Sequence, residues 1–310
     1  MSRRAISPHD FPSCSSPTSH HMKTRSFVQV QPEEYMPEGP EIRRAADRVS
    51  KRLVGQEIES IELHYPPIRE FQKVVAESQV VSVTSRGKAM LTRFDCGLSM
   101  YSHNQLYGRW TVNRRSTELN WGRALRAEFL TEGYAVRLWS ATDVEIIPSR
   151  DEESHPFISK LGPDVLDESC TPEVIMEMLE GKRHRNRKAS SLMLDQSFLA
   201  GVGNYLRSEI LHQSGVNPHA KPRELSEGRK RAWAEEAKRL CVMSYKTGGL
   251  TVPKEVAEKG KERGERRRSY RHAVFCRNGL SCLSCGTEVV REVIGGRRLD
   301  FCPSCQRMED

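Results

Sequence analysis

Two pairs of cysteines near the C-terminus carry the least ambiguous chemistry in this chain. Cys282 and Cys285 form one C-x-x-C, Cys302 and Cys305 form a second, and sixteen residues separate the pairs. Four thiolates in two such knuckles close a tetrahedral zinc site with no open position for water, so the metal is structural. A hairpin this short has no core of its own and takes its folding free energy from the ion. Arg291, Arg297 and Arg298 lie between the knuckles, on a loop that would present them to a polyanion. The other five cysteines, Cys14, Cys96, Cys170, Cys241 and Cys276, are scattered and make no disulfide framework, which suits a reducing compartment.

The next constellation is M-P-E-G-P-E at 36–41. A chain that starts at Met36 and loses it exposes Pro37 as a terminal secondary amine. Such an amine is less basic than lysine and forms an iminium with a sugar aldehyde carbon. Glu38 and Glu41 follow at a helix start, where carboxylates either move protons or simply complement the helix dipole. S-R-G-K at 85–88 is a glycine turn that holds Lys88 at a loop tip, as a reactive amine or as a solvated one. In Y-S-H-N-Q-L-Y-G at 101–108, Gln105, Leu106 and Tyr107 crowd a strand exit. They form either a turn with Leu106 and Tyr107 in the core or a wedge that enters a base stack when a nucleotide is flipped out. L-A-G-V-G-N at 199–204 is a glycine-rich turn between helices, where free N–H groups and Asn204 suit a phosphate.

Those residues need a scaffold, and the hydrophobic pattern describes one. Ile42, Ala45, Ala46, Val49 and Leu53 repeat with helical period over 40–53, with Pro40 in the first turn and Gly55 as the stop. Arg43, Arg44, Arg48, Lys51 and Arg52 form its opposite, solvated face. Alternating or β-branched runs at 58–65, 80–84, 89–95, 98–103, 123–131 and 135–147 predict an antiparallel sandwich. From Pro172 the period becomes helical, with helices expected at 173–179, 189–199, 205–213 and 225–245. The fold class is therefore α+β. A β-sandwich with one N-terminal helix (36–164) precedes a helical domain (165–250), a basic linker (251–271) with eight Lys or Arg against four Glu, and a zinc β-ribbon (272–310). Residues 1–35 are rich in Ser, Pro, His and Arg without hydrophobic period or an apolar secretion signal. They read as a disordered extension absent from the active form, with an organellar transit peptide as the alternative.

The 310 residues accommodate about two domains of ordinary size, and 37% hydrophobic residues are enough to give them cores. No run approaches the roughly 18–20 apolar residues of a membrane helix, which excludes a spanning protein. Lys and Arg outnumber Asp and Glu by 49 to 41, a net charge of +8 that points to a polyanionic partner. No internal repeat and no oligomerisation signal is visible, so a monomer is the expectation.

In their order along the chain, P-E-G-P-E, the Gly-Lys turn, Q-L-Y-G, G-x-G-N and the four-cysteine finger resemble the Fpg/Nei DNA glycosylase family. The endonuclease VIII branch is most similar, over about residues 36–250 and 272–306. The resemblance implies a bifunctional glycosylase/AP lyase of base excision repair that removes oxidised pyrimidines from damaged double-stranded DNA, with one structural Zn2+. It implies that Pro37 attacks C1′ to form a Schiff base, that Glu38 is the acid/base, that Glu41 is a supporting acid, and that Lys88 assists β-elimination. Arg297, five residues before the third cysteine, would grip phosphate and serve δ-elimination. Gln105, Leu106 and Tyr107 would fill the void left by the flipped nucleotide, and Asn204 would bind phosphate. Lys160 stands where the endonuclease VIII pattern carries a DNA-contacting arginine; it keeps the charge and loses the bidentate fork. The longer, more basic linker is the second departure. For a bacterial chain the implied location is cytoplasmic and nucleoid-associated. A peptide bond from Met36 would make the Pro37 nitrogen an unreactive amide, and the alternative function is then a catalytically silent lesion-binding protein.

Overall fold

The computed structural model describes residues 37–117 and 122–309, so the reading of residues 1–35 lies outside the described residues. Helix α1 (Gly39–Leu53) forms as its period requires and buries Ile42, Ala45, Ala46, Val49 and Leu53. Gly55 follows with φ +67°, the left-handed conformation that ends helices. After α1 come β1 (Ile58–Leu63), a 3-10 turn (Pro66–Phe71), the short α2 (Gln72–Ala76), β2 (Val80–Arg86), β3 (Ala89–Phe94) and β4 (Leu98–His103). The half then closes with β5 (Arg109–Arg114), β6 (Leu125–Thr131), β7 (Tyr134–Trp139) and β8 (Asp143–Pro148).

These strands build two four-stranded antiparallel sheets, ordered β1-β6-β7-β5 and β2-β3-β4-β8. One core unites them with α1: Ile61, Val83, Phe94, Met100, Phe129, Leu138 and Ile146 pack together with Ala46 and Val49. The run expected as one strand over 135–147 is two strands in different sheets. Ser140, at φ +50°, turns the chain between β7, which pairs with β5 and β6, and β8, which pairs with β4. Apolar alternation continues through that corner, so the pattern carries no mark of the change of sheet. The strand β5 was not foreseen; it is a sheet edge with polar ends and Trp110 as its main buried side chain. Strand β3 is buried on both faces, because Ile158 and the ion pair of Glu152 with Arg93 cover its outer side.

The helical part holds α3 (Pro172–Glu180), α4 (Ala189–Leu192), α5 (Asn204–Gln213) and α6 (Glu227–Thr247). The helix expected at 189–199 stops at Leu192. Beyond it Asp195 accepts from the backbone and hydroxyl of Ser197, and Gln196 bonds the carbonyls of Leu194 and Val202 and the N–H of Gly201. Local side-chain bonds of this kind compete with helix propagation. The stretch expected as a linker holds α7 (Lys254–Glu262) and α8 (Arg267–Tyr270), with Val252, Ala257 and Ala273 in a small core of their own. Its ends meet where the Thr251 N–H donates to the Arg271 carbonyl at 2.9 Å. The chain ends in a ribbon of β9 (Val290–Ile294) and β10 (Arg297–Phe301). No helix of the described residues is long and apolar enough to cross a membrane.

Helix α5 is buried from Tyr205 to His212 even though it carries Arg207, Glu209 and His212. The Glu209 carboxylate accepts from the N–H groups of Ala273, Val274 and Phe275 at 2.8–2.9 Å and from the Thr251 hydroxyl at 2.7 Å. It thereby fixes the segment that leads into the ribbon. Removing it in Glu209→Ala strands three buried N–H donors, each costing about 1–3 kcal/mol. Urea denaturation is expected to show a loss of more than about 3 kcal/mol; unchanged stability would mean that this carboxylate is not the anchor.

Candidate active site

The site is built where the N-terminus of α1 meets the N-terminus of α5. The Glu38 side chain is only 4% exposed. Its Oε2 accepts from Gly203 N–H at 2.7 Å and Leu206 N–H at 3.3 Å, and its Oε1 from Tyr205 N–H at 2.8 Å. The carboxylate therefore caps a helix 165 residues away, with the positive end of the helix dipole beneath it. Close backbone approach makes this possible. Gly39 N–H donates to the Gly201 carbonyl at 2.8 Å, and a Cβ on Gly203 would stand 2.4 Å from the Glu38 carboxyl carbon. The glycine-rich turn serves a carboxylate of the protein first. Pro37, half-buried, immediately precedes it.

Glu41 is one turn further along α1. It accepts from the Glu38 N–H at 3.1 Å and from the Tyr205 hydroxyl at 3.1 and 3.0 Å. Burial, with help from the Glu41 charge, raises the Glu38 carboxyl from 4.5 to about 7 against the opposing pull of Lys88. Burial also raises Glu41, and Arg271 opposes it. Lys88 occupies the turn between β2 and β3, where Gly87 at φ +58° reverses the chain and its N–H is held by Asp164 Oδ2 at 2.7 Å. Rather than standing free in solvent, the ammonium is partly enclosed. Burial and the nearby Arg297 lower its proton affinity, while Glu38 raises it. Glu38 and Arg297 thus both act on Lys88, although the three come from separate parts of the chain.

Arg297 is exposed at the turn between β9 and β10. Asn204, at the first position of α5, accepts from Arg207 Nη2 at 2.9 Å, which leaves its amide NH2 for an incoming acceptor. Gln105, at φ +47°, and Tyr107, 59% exposed, stand out from the loop after β4, with Leu106 half-buried between them. The alternative that places Tyr107 in the core is therefore corrected: Gly108 N–H closes on the Asn104 carbonyl at 2.7 Å and turns the side chain outward. Lys160 is exposed at the end of the 3-10 turn Ile158–Lys160, and neither it nor Gln105–Tyr107 is among the groups hydrogen-bonded to the two carboxylates.

The four cysteine sulfurs lie within 4.8 Å of one another, with 3.9 Å from Cys282 to Cys305 and 3.5 Å from Cys285 to Cys302. Zinc–sulfur bonds of about 2.3 Å place the corners of a tetrahedron about 3.8 Å apart. The cluster fits a structural Zn2+ held by Cys282, Cys285, Cys302 and Cys305.

Sequence reasoning missed Tyr205, Arg207, Asp164 and Arg271. Arg207 is fully buried and bonds Asn204, the Arg298 carbonyl at 2.7 Å and the Ser190 carbonyl at 3.3 Å; burial lowers its guanidinium to about 10. The available signal was the helix itself, since charges at 207, 209 and 212 fall on several faces and leave no purely apolar stripe.

Because Glu38 binds its proton more tightly in the folded chain, its contribution to stability is complete below pH 4.5 and is lost as pH rises to about 7. Glu38→Gln is expected to flatten the pH dependence of unfolding free energy across that window. An unchanged slope in denaturation series would assign the effect to another carboxyl.

Three family models match the chain in succession. They describe the formamidopyrimidine-DNA glycosylase N-terminal domain at residues 36–141, its H2TH domain at 161–255, and a zinc finger found in FPG and IleRS at 279–307. Endonuclease 8 of Escherichia coli is 40% identical over 271 residues, which cover 87% of this chain and all of that protein. Endonuclease 8 of Klebsiella pneumoniae is 39% identical with the same coverage. Among solved structures, Lactococcus lactis formamidopyrimidine DNA glycosylase bound to DNA with an AP site shares the fold, with a TM-score of 0.71 and 20% identity over 87% of this chain and 99% of that one. A proline–glutamate start at a helix cap, a lysine turn, an H2TH helix pair and a four-cysteine ribbon thus meet in one chain, which belongs to the Fpg/Nei family of bifunctional DNA glycosylases and AP lyases.

Proposed function

We propose that this chain excises oxidised pyrimidines from duplex DNA and cleaves the strand by β,δ-elimination, with Pro37 as nucleophile. The observation that carries the reading is Glu38, a buried carboxyl held to about 7 directly after Pro37 and within reach of the Lys88 charge. A general acid/base works best when its proton affinity matches the working pH. The pyrimidine preference rests on the identity with endonuclease 8 proteins and on the contiguous Gln105-Leu106-Tyr107.

In this mechanism the Pro37 lone pair forms a bond to C1′ while the glycosidic bond breaks, and the base departs with its electrons and takes up the proton that the Pro37 nitrogen sheds. Glu38 supplies a proton as the sugar opens to the iminium. The iminium acidifies C2′–H, and the neutral fraction of Lys88 accepts that proton as the 3′ phosphate leaves. Arg297 and Asn204 hold phosphate, and Arg297 serves the second elimination. Water then hydrolyses the iminium and restores the Pro37 amine. Gln105, Leu106 and Tyr107 fill the gap left by the flipped nucleotide and offset part of its few kcal/mol of unstacking. Lys160 adds charge along the backbone, and Glu41 supports Glu38. Zinc would hold the ribbon that carries Arg297 and stay remote from the reacting atoms.

The second reading, a silent lesion-binding protein, is favoured by the residues that precede Met36, because a peptide bond to Met36 removes the amine. Borohydride trapping on a thymine glycol duplex separates the two, with the 310-residue chain and a form beginning at Pro37 tested together. A covalent complex is expected only with the free proline and not with Pro37→Gly in that form. Lesion binding with no trapping by any form would sink the enzymatic reading. Stripping zinc with a chelator is expected to weaken DNA affinity as the ribbon unfolds. Rapid inactivation at unchanged affinity would instead make the metal part of the chemistry.

A further inference from the structure

Arg271 belongs to none of the motifs above and falls at the end of the segment first read as a linker. Its carbonyl closes the excursion formed by α7 and α8, accepting from Thr251 N–H at 2.9 Å. Its guanidinium carbon stands 5.7 Å from the centre of the Tyr205 ring. Gly249, at φ +98°, leaves room for two groups to approach one point. A Cβ there would be 3.0 Å from Glu41 Oε1 and 3.1 Å from Arg271 Nη2. Glu41 therefore faces a guanidinium on one side while accepting from the Tyr205 hydroxyl and the Glu38 N–H on the other. The Tyr205 hydroxyl is itself fixed by Ser244 Oγ at 2.7 Å. Every group hydrogen-bonded to this carboxylate is a donor, as suits an anion.

We propose that Arg271 is a positioning residue for base excision: together with Tyr205 it holds Glu41 as an anion, so that the proton shared by the two carboxylates stays on Glu38, next to Pro37. The inference rests on the reading of Glu38 as proton donor. Two neighbouring carboxyls with similar surroundings titrate as a pair and divide their proton, whereas unlike surroundings assign it to one of them. The groups that face the pair are few. Lys88 and Arg207 act with Glu38, Arg271 acts with Glu41, and Tyr205 and the buried thiol of Cys241 interact with both. Of these cations, Lys88 and Arg207 act with Glu38, and Arg271 is the one that acts with Glu41.

The test compares Arg271→Gln and Arg271→Lys with the unsubstituted enzyme, each beginning at Pro37. Single-turnover excision of thymine glycol and cleavage of a preformed abasic site are followed across a pH series. In Arg271→Gln the proton is divided between Glu41 and Glu38. Excision then begins to fall at lower pH as pH rises, and at neutral pH it drops by about threefold or more. Cleavage of the abasic strand stays within about twofold, and Arg271→Lys restores the excision profile. An Arg271→Gln profile with no shift along the pH axis, or equal loss of both steps, overturns the proposal and leaves Arg271 a packing residue. Glu38→Gln, run in parallel, keeps the two ideas apart. If it retains excision, the proton-donor reading of Glu38 fails, whatever Arg271 does.

Discussion

A single buried carboxylate joins the two halves of this protein. Glu38 sits at the start of α1 and satisfies three backbone N–H groups at the start of α5, one of them at 2.7 Å. Helix N-termini leave unpaired donors that must find partners, and burying a charge is costly unless it is hydrogen-bonded. Each requirement meets the other here. The contact also places Pro37, the residue before Glu38, where α1 meets the start of α5.

Helix α5 extends the same logic along its length. Its N-terminus takes Glu38, Arg207 bonds the backbone of β10, Glu209 takes three N–H groups from the segment before the ribbon, and His212 contacts Cys282 at 3.3 Å. One rigid element thus registers the sandwich, the excursion of α7 and α8, and the zinc ribbon against a common axis. Glu38, Arg207 and Glu209 are buried against hydrogen-bonding partners, and removing those partners would leave an uncompensated charge in the interior. The arrangement explains how Arg297, on a ribbon some two hundred residues downstream of Lys88, acts on the same ammonium.

The electrostatics follow from enclosure. Burial raises Glu38 to about 7 and lowers Lys88, so the proton affinities of an acid and an amine that are ordinarily far apart move toward each other. Their mutual attraction works in the opposite sense and limits both shifts. A cation at Arg297 tips Lys88 further toward its neutral form, so the ribbon acts electrostatically on the turn between β2 and β3.

Much of this was legible in the residues alone. Local rules are short-ranged, so Ile42 to Leu53 announced α1, the change of period at Pro172 announced the helical part, and the cysteine spacing specified four metal ligands whose sulfurs the fold brings together. The order of the motifs also pointed to the family and to Pro37, Glu38, Lys88 and Arg297. What the sequence did not contain were events that depend on distant chain: the change of sheet at Ser140, the early end of α4, and the folding of residues 251–271 into two helices. The pairing of Glu38 with the start of α5 and the approach of Arg271 to Glu41 belong to the same class. Periodicity reports which face of an element is buried, and spacing reports which ligands are neighbours along the chain. Neither reports which buried donor a carboxylate meets, because that is settled only when two elements pack and their unpaired groups must satisfy each other.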